Sequence, residues 1–216
     1  MVDIIAIDGP ASVGKSSLAK KISFYYNSPL LNSGKLYRAV AFKIQQKKVN
    51  IGDRNKITKI AKSLSKNDLN SKDLFNREID KIASKISTQK YLRDQLLTYQ
   101  KEFPLKYAKN KKFAIIEGRD IGTKIFPSAK FKIFMWADAN IRAKRRHQQN
   151  IKNGRKSSLN QIYKEIIDRD NKDLNRKIAP LKPAANSVLL DTTYLDIEQV
   201  FNAIKIILKK KIYEPR

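Results

Sequence analysis

The sequence predicts an α/β fold in which a five-stranded parallel sheet is flanked by helices. An apolar run at Ile4–Ile7 leads directly into a glycine-containing loop and then into a helical pattern. The other strand candidates are short continuous apolar runs, which are typical of strands buried on both faces. Helical periodicity separates these runs, and strands that alternate with helices form a parallel sheet covered on both sides.

The elements follow one another along the chain without an internal repeat or a long linker, so residues 1–216 are predicted to form one domain. The strand candidates are Ile4–Ile7, Leu30–Leu31, Phe113–Ile116, Phe131–Trp136 and Val188–Leu190. Apolar spacing predicts helices over 16–27, 57–64, 79–86, a continuation from Leu92, 141–149, 159–175 and 197–204. The polar stretch 65–72 is predicted to be a loop, and Trp136 is expected in the core.

The loop after the first strand has the spacing of a phosphate-binding loop. Gly9-Pro10-Ala11-Ser12-Val13-Gly14-Lys15-Ser16 matches G-x-x-x-x-G-K-[ST] between a predicted strand and a predicted helix, the context that supports the motif. Its glycines let backbone N–H groups turn inward, Lys15 supplies a positive charge, and the helix N-terminus adds its dipole. The sequence therefore predicts a site for ATP or GTP.

Composition narrows the compartment and the partners. The chain has no cysteine, which excludes disulfides and thiolate metal sites and is compatible with a reducing compartment. Its N-terminal apolar run is too short for a signal peptide, so we expect a cytoplasmic protein with no membrane partner. The net charge of +26 suggests nucleic acid, but the lysines are scattered and not interleaved with aromatic residues, so nucleic acid is not the expected partner.

Arginines near the ends of the predicted strands indicate a second anionic ligand. Arg119 and Asp120 follow the third apolar run, and ligands bind at the carboxyl ends of parallel strands. Phosphoryl transfer between two nucleotides needs such groups, because catalysis there is chiefly positioning and charge stabilisation. Two helical sets could instead be an ion-pair ladder or a solvated face: Arg169, Asp173 and Arg176, and Arg142, Arg145 and Arg146.

These residues and their order resemble the bacterial-type cytidylate kinases over most of the chain. The most selective matches are Gly118–Thr123 and Ala179–Ala185. Further matching segments are Gly9–Ser17, Asn32–Gly34, Tyr37–Arg38, Ala83–Ser84, Leu92–Arg93, Phe126–Pro127, Arg169–Asp170 with Asp173, Asn175–Arg176 and Leu190–Thr193. The resemblance implies transfer of a phosphoryl group from ATP to CMP or dCMP with Mg²⁺, within pyrimidine nucleotide metabolism.

The resemblance also implies a role for each matching residue. ATP would lie on Gly9, Pro10, Ala11, Ser12, Val13, Gly14, Lys15, Ser16 and Ser17, with Mg²⁺ near Ser16 and Ser17 through phosphates and water. The acceptor phosphate would be held by Ser33, Arg38 and Arg119, and cytosine would be read by Ser84, Arg93 and Asp120. Arg169 and Asp173 would contact the sugar, and Arg176 would serve the transferring group. The catalytic residues would be Lys15, Arg119, Arg169 and Arg176.

A P-loop kinase core, a reduced acceptor-binding insert and a small lid are implied as well, in a protein expected to be monomeric. The core would span 1–32, 111–147 and 159–216, the acceptor-binding part 33–110, and the lid 148–158. The chain departs from the family at Asn32, usually Asp, at Phe75, often basic, and at Lys172, commonly Arg. The span 49–84 is too short for the full strand-rich insert of the family.

Other functions stay open at this point. The chain could phosphorylate UMP, TMP or AMP, or it could be a nucleic-acid-associated ATPase or a P-loop switch protein. Against the switch protein, the run Phe113–Ile116 is followed by Glu117-Gly118 and not by the Asp of a Walker-B strand.

Overall fold

A parallel sheet forms the centre of the molecule. The computed structural model describes residues 2–213; Met1 and residues 214–216, which the predicted domain includes, lie outside the described residues. The five strands are β1 (Asp3–Asp8), β2 (Leu30–Asn32), β3 (Phe113–Gly118), β4 (Phe131–Trp136) and β5 (Val188–Asp191). They lie in the order β2-β3-β1-β4-β5, and every pairing is parallel. The predicted α/β class with five parallel strands is confirmed.

Helices connect the strands and cover both faces of the sheet. They are α1 (Lys15–Tyr25), α2 (Ser33–Gln46), α3 (Arg54–Lys62), α4 (Arg77–Ile86), α5 (Lys90–Tyr107), α6 (Ala139–Lys152), α7 (Leu159–Asn175) and α8 (Ile197–Tyr213). Short 3₁₀ turns lie at Asn67–Leu69 and Lys72–Leu74, and a π-helical turn follows β3 at Ile121–Ile125. Among residues 2–213, none of these helices combines the length and the hydropathy needed to cross a membrane.

Helix α2 is the main element that the sequence prediction misses. Asn32 caps it, since the Asn32 side chain accepts a hydrogen bond from the Lys35 backbone N–H at 3.1 Å. Gly34 suggests a turn because glycine is unfavourable inside a helix, but here it lies in the first turn. The signal was the N-cap followed by apolar residues at helical spacing: Leu36, Ala39, Val40 and Ile44.

Alternation along the strands divides the core into two layers. Ile5 and Ile7 of β1 pack into the layer formed with α1 and α8, whereas Ala6 packs into the opposite layer with α2. Phe113 of β3 and Phe131 of β4, the strands on either side of β1, pack edge to face with ring centroids 5.6 Å apart. Trp136, expected in the core, is 49% exposed because it is the last residue of β4, where the covering layer ends.

The segment between β2 and β3 is entirely helical. Residues 33–112, all of which the structure describes, contain α2 to α5 and the 3₁₀ turns but no strand. Apolar residues of all four helices join the layer that contains Ala6. The segment therefore packs on one face of the sheet and reaches the carboxyl edge of β2 and β3.

Candidate active site

All five strands are parallel, so their carboxyl ends meet at one edge of the sheet, where ligands bind in such folds. The phosphate-loop motif follows β1, Ser33 follows β2, and Arg119 follows β3. Because β3 lies between β2 and β1, these three segments are neighbours. The fold therefore brings the predicted donor and acceptor residues to the same edge of the sheet.

The phosphate loop has the backbone of an anion-binding turn. Gly9, Ser12 and Gly14 have φ values of +147°, +60° and +101°. A Cβ on Gly9 would collide with the Met135 carbonyl of β4, so only glycine fits there. A serine held at positive φ is uncommon, and such strain is concentrated at functional sites.

The Lys15 side chain is buried at the start of α1, where the phosphate loop ends. Its ammonium donates to the Pro10 carbonyl at 2.6 Å. Burial and the nearby Arg119 hold the pKa of Lys15 well below its usual value, while Glu117 and Asp8 act in the opposite direction. A bound phosphate would favour the charged form of Lys15, so its surroundings suit an anionic ligand.

Glu117 is a functional candidate that the sequence analysis missed. Strand β3 extends to Gly118, and the Glu117 carboxylate accepts from Ser16 Oγ at 3.0 Å and from Asn32 Nδ2 at 2.6 Å. The sequence argument that Glu117 is not the Asp of a Walker-B strand stands, and the structure adds that the Glu117 carboxylate lies beside Ser16 of the phosphate loop. The signal was a carboxylate directly after a buried apolar run.

The residues around Ser16 fit a magnesium ion. Mg²⁺ prefers oxygen ligands and is usually held by one or two carboxylates together with substrate phosphates. Ser16 and Glu117 supply a hydroxyl and a carboxylate beside the phosphate loop. Ser17 is exposed on the same helical turn. Within residues 2–213 there is no cluster of three or more His, Cys, Asp or Glu that could hold a metal ion.

Residues proposed for the acceptor phosphate lie around the end of β3. A Cβ on Gly118 would collide with Ser33 Oγ, which places Ser33 against the backbone that precedes Arg119. Arg119 Nε donates to the Asp173 carboxylate at 2.9 Å. Arg38 pairs with Asp80 at 2.7 Å, and its guanidinium lies 4.8 Å from the centroid of the Phe75 ring, the position of one family departure.

Asp120 is the centre of a buried cluster. It pairs with Arg93 of α5 and lies 3.5 Å from Arg176, which follows α7. Arg93 also donates to the Ser87 carbonyl at 3.0 Å. Within residues 2–213 no hydrogen bond joins the Ser84 side chain to Arg93 or Asp120. The structure thus brings together two of the three residues predicted to read the base.

Among the described residues Arg169 forms no ion pair, unlike Arg38, Arg93, Arg119 and Arg176. Its Nε is buried and has no hydrogen-bond partner among the described residues. Burial and the nearby Arg119 lower the pKa of Arg169 to about 10, so the side chain stays charged at neutral pH. Asp173 and Asp80 act in the opposite direction and favour the charged form of Arg169. A buried donor without an acceptor is costly, and a ligand anion would satisfy it.

The motif at Ala179–Ala185 folds back onto the end of α7. The Leu181 backbone N–H donates to the Asp173 carbonyl at 2.8 Å, and Arg176 Nε donates to the Ala179 carbonyl at 2.5 Å. Ala179 has a φ of +51°, a conformation that non-glycine residues rarely adopt. This turn holds Arg176 beside Asp120. Lys172, another family departure, is exposed on the outer side of α7.

The solvated-face alternative for the second arginine set is wrong. Arg142 is buried, pairs with Asp170 at 2.7 Å and donates to the Ala11 carbonyl of the phosphate loop at 3.1 Å. Arg145 donates to backbone carbonyls at Thr192–Leu195, and Arg146 pairs with Asp80 at 3.0 Å. Helical spacing could not reveal these partners, because all of them lie on other elements.

Contacts join the predicted lid to the acceptor-binding part. Arg155 donates to the Phe75 carbonyl at 2.6 Å, and Arg77 pairs with Glu165 at 2.9 Å. The expected turn at Asn153–Gly154 is present, with Gly154 at a φ of +68°. Arg155 and Glu165, which both follow this turn, thus contact the start of α4 and the residues just before it.

Comparisons with known proteins identify the family of this chain. A model of the cytidylate kinase family matches residues 5–210. A cytidylate kinase of Bartonella tribocorum is 39% identical over 198 residues, which are 92% of this chain and 90% of the relative. A cytidylate kinase of Acidiphilium cryptum is 37% identical over 207 residues, 96% of this chain and 95% of the relative.

Solved structures share the fold at much lower identity. An uncharacterized protein from Eubacterium ventriosum is similar with a TM-score of 0.56 at 12% identity, covering 97% of this chain and 99% of that one. A gluconokinase from Sinorhizobium meliloti is similar with a TM-score of 0.50 at 12% identity, covering 98% and 95%. These likenesses concern the fold alone, whereas the family match and the sequence relatives extend over nearly the whole chain. This chain belongs to the cytidylate kinase family.

Proposed function

We propose that this enzyme transfers the γ-phosphoryl group of ATP to CMP and dCMP, forming ADP and CDP or dCDP. The observation that carries the proposal is the gathering of arginines from separate elements beside the phosphate loop. These are Arg38, Arg93, Arg119, Arg169 and Arg176. Such a concentration of fixed positive charge is suited to two phosphorylated ligands, because guanidinium groups bind phosphate oxygens bidentately and remain charged.

Residues 9–17 hold the phosphates of ATP in this proposal. Lys15 provides charge at the outer phosphates, and the N-terminus of α1 adds its dipole. Ser16 and Glu117 would hold Mg²⁺, which neutralises charge on the β- and γ-phosphates when it is bound. The hydrogen bond from Arg142 to the Ala11 carbonyl fixes the position of the loop relative to α6.

The acceptor phosphate lies between Ser33, Arg38 and Arg119. One of its oxygens attacks the γ-phosphorus in line, the new phosphorus–oxygen bond forms, and the bond to the β-phosphate oxygen breaks to release ADP. Arg38 is paired with Asp80 and Arg119 with Asp173, so both guanidinium groups are held in place before the ligand arrives. Preorganised charge of this kind stabilises the transition state without reorganisation.

Asp120 and Arg93 read the base, with Ser84 as a third candidate. Cytosine offers an amino donor at C4 and acceptors at N3 and O2, whereas uracil offers a carbonyl at C4 and a donor at N3. The Asp120 carboxylate can accept from the cytosine amino group, and the Arg93 guanidinium can donate to the ring acceptors. Their mutual ion pair keeps both groups oriented.

Arg169 and Asp173 contact the sugar, and Arg176 serves the transferring group together with Arg119 and Arg169. All of these residues lie at or near one end of α7, where Arg169 still lacks a hydrogen-bond acceptor for Nε. The proposed division follows: a core of 1–32, 111–147 and 159–216, an acceptor-binding part of 33–110 and a lid of 148–158. We place the enzyme in the cytoplasm as a monomer whose partners are these nucleotides, with nucleic acid not among them.

A coupled assay of ADP release tests the substrate assignment. The purified enzyme is given MgATP with CMP, dCMP, UMP, TMP or AMP in separate reactions. We expect CMP and dCMP to give a kcat/KM at least about a hundredfold above the others, because a mismatched base leaves buried polar groups unpaired. A higher kcat/KM with UMP, TMP or AMP would overturn the assignment. Gel filtration with light scattering measures the molar mass in solution and so tests the proposal that the enzyme is a monomer.

A further inference from the structure

Asp8 is a buried carboxylate that the proposed reaction does not use. It ends β1 directly before Gly9 and is 4% exposed. Asp8 Oδ1 accepts from the Ile121 backbone N–H at 2.8 Å, and Asp8 Oδ2 accepts from the Gly122 backbone N–H at 2.7 Å. Hydrogen bonds from backbone N–H groups to a carboxylate are stronger than those between neutral partners. Asp8 therefore ties the end of β1 to the turn that follows β3.

Both ends of this tie adjoin residues of the candidate site. The phosphate loop begins at the residue after Asp8, and Asp120 immediately precedes the bonded N–H groups of Ile121 and Gly122. The approach is close: a Cβ on Gly122 would lie 3.2 Å from Ala184 Cβ and 3.4 Å from Asp8 Oδ2. The carboxylate thus lies between the donor loop and the segment that recognises the acceptor.

We propose that Asp8 is a positioning residue for acceptor recognition. By holding the N–H groups of Ile121 and Gly122, it fixes Arg119 and Asp120 relative to the phosphate loop. The inference rests on the proposed function and adds a residue that need touch neither nucleotide. Its effect on kcat/KM for the acceptor is expected to be large, because a displacement of about 1 Å in a site can cost on the order of a hundredfold.

The charge state of Asp8 supports this role. Burial raises the pKa of Asp8 to about 6 and Asp120 adds to the rise, while the two backbone N–H groups and Lys15 act against it. At neutral pH both carboxylate oxygens can accept hydrogen bonds. Below about pH 6 one oxygen carries a proton and becomes a poor acceptor, so the tie to one backbone N–H weakens.

The variant Asp8→Asn tests the proposal, because it keeps the shape of the side chain but turns an NH₂ group toward one backbone N–H. We expect kcat/KM for CMP to fall about tenfold or more, mainly through KM, with a smaller loss for UMP. The affinity for an ATP analogue should stay within about twofold and the Tm within about 4 °C. Asp3→Asn, the same change at the other end of β1, is the matched control.

Equal losses with CMP and UMP at unchanged KM would overturn the proposal. If Asp8→Asn does not fold, the native enzyme still tests it through the CMP-to-UMP ratio of kcat/KM at pH 5.5 and 7.5. Protonation of the acceptor phosphate is common to both substrates and cancels in this ratio. We expect the ratio to narrow at pH 5.5, and an unchanged ratio overturns the proposal. A native preference for another monophosphate overturns the substrate assignment alone, and Asp8→Asn is then measured with that acceptor.

Discussion

The donor and acceptor halves of the site are built in different ways. The donor half is one continuous segment, residues 9–17, whose function follows from its own backbone and from Lys15. The acceptor half is assembled from α2, α5, the turn after β3 and the end of α7, which are far apart in the chain. Each of its guanidinium groups is held by a carboxylate from another element, with Arg169 Nε as the exception.

This difference shows why the donor half can form from one short segment, whereas the acceptor half depends on the packing of the whole fold. A short loop needs only glycine conformations, a lysine and a helix N-terminus to bind phosphate. Reading a base and holding a second phosphate requires groups that converge from several directions, so tertiary packing decides their geometry.

The largest effect is expected in the donor half. Lys15→Ala removes the positive charge at the outer phosphates, and kcat with CMP should fall by on the order of a thousandfold. CMP binding measured by calorimetry should change much less than kcat, because carboxylates of other elements hold Arg38 and Arg119 in the acceptor half. Lys62→Ala, at an exposed lysine of α3, is the control. Retention of most of the native kcat would contradict the assignment of this loop as the donor site.

In the acceptor half, Asp120→Ala tests base selection. Loss of the carboxylate removes the acceptor for the cytosine amino group and leaves Arg93 without its partner. The kcat/KM for CMP should fall about a hundredfold and that for UMP much less, so the CMP-to-UMP ratio narrows. Steady-state kinetics with both acceptors measure this.

Asp94→Ala is the matched control for that experiment, because Asp94 is an exposed carboxylate of α5 that pairs with Lys90. Equal losses with CMP and UMP would mean that Asp120 supports Arg119 or Arg176 and that base selection lies elsewhere.

Asp8, which links the donor loop to the turn after β3, can be tested through the pH dependence of the free energy of unfolding. The pKa of Asp8 is about 6 in the folded state and about 3.9 in an unfolded chain, so the native state binds the proton more tightly between these values. Lowering the pH from 7 to 5 should therefore stabilise the native protein relative to Asp8→Asn by about 1 kcal/mol. Urea unfolding of both proteins at the two pH values measures this. A relative destabilisation at pH 5 would show that burial does not raise the pKa of Asp8 in the folded protein.

The smallest effect concerns the contact between the lid and the acceptor half. Arg155→Ala removes the hydrogen bond to the Phe75 carbonyl, and cleavage near Asn153–Gly154 in the free enzyme should rise by about threefold. A bisubstrate analogue should slow cleavage of the native protein. A protease of broad specificity is required, with Lys156→Ala as the neighbouring control. Unchanged cleavage in both tests would indicate a rigid segment and not a lid.

Much of the fold was accessible from the sequence because the strands are continuous apolar runs and the phosphate loop is a local motif. The weaker predictions have one cause in common, which is that the outcome depended on tertiary context and not on the local sequence. Helix α2 was missed because Gly34 suggests a turn, and Trp136 was misplaced because a strand's last residue can extend beyond the covering layer. The partners of Arg142 and Arg146 lie on other elements, so spacing within a helix could not identify them.

By itself the sequence determined the five parallel strands, the phosphate loop at 9–17 and the identity of the charged residues near the strand ends. Those features depend on hydrophobic periodicity and on local backbone preferences, which are properties of short segments. Only the tertiary structure decided that Asp120 pairs with Arg93, that Glu117 faces Ser16, and that Asp8 holds the turn after β3. Such pairs join residues dozens of positions apart, and they exist because the parallel sheet brings the carboxyl ends of its strands to one edge.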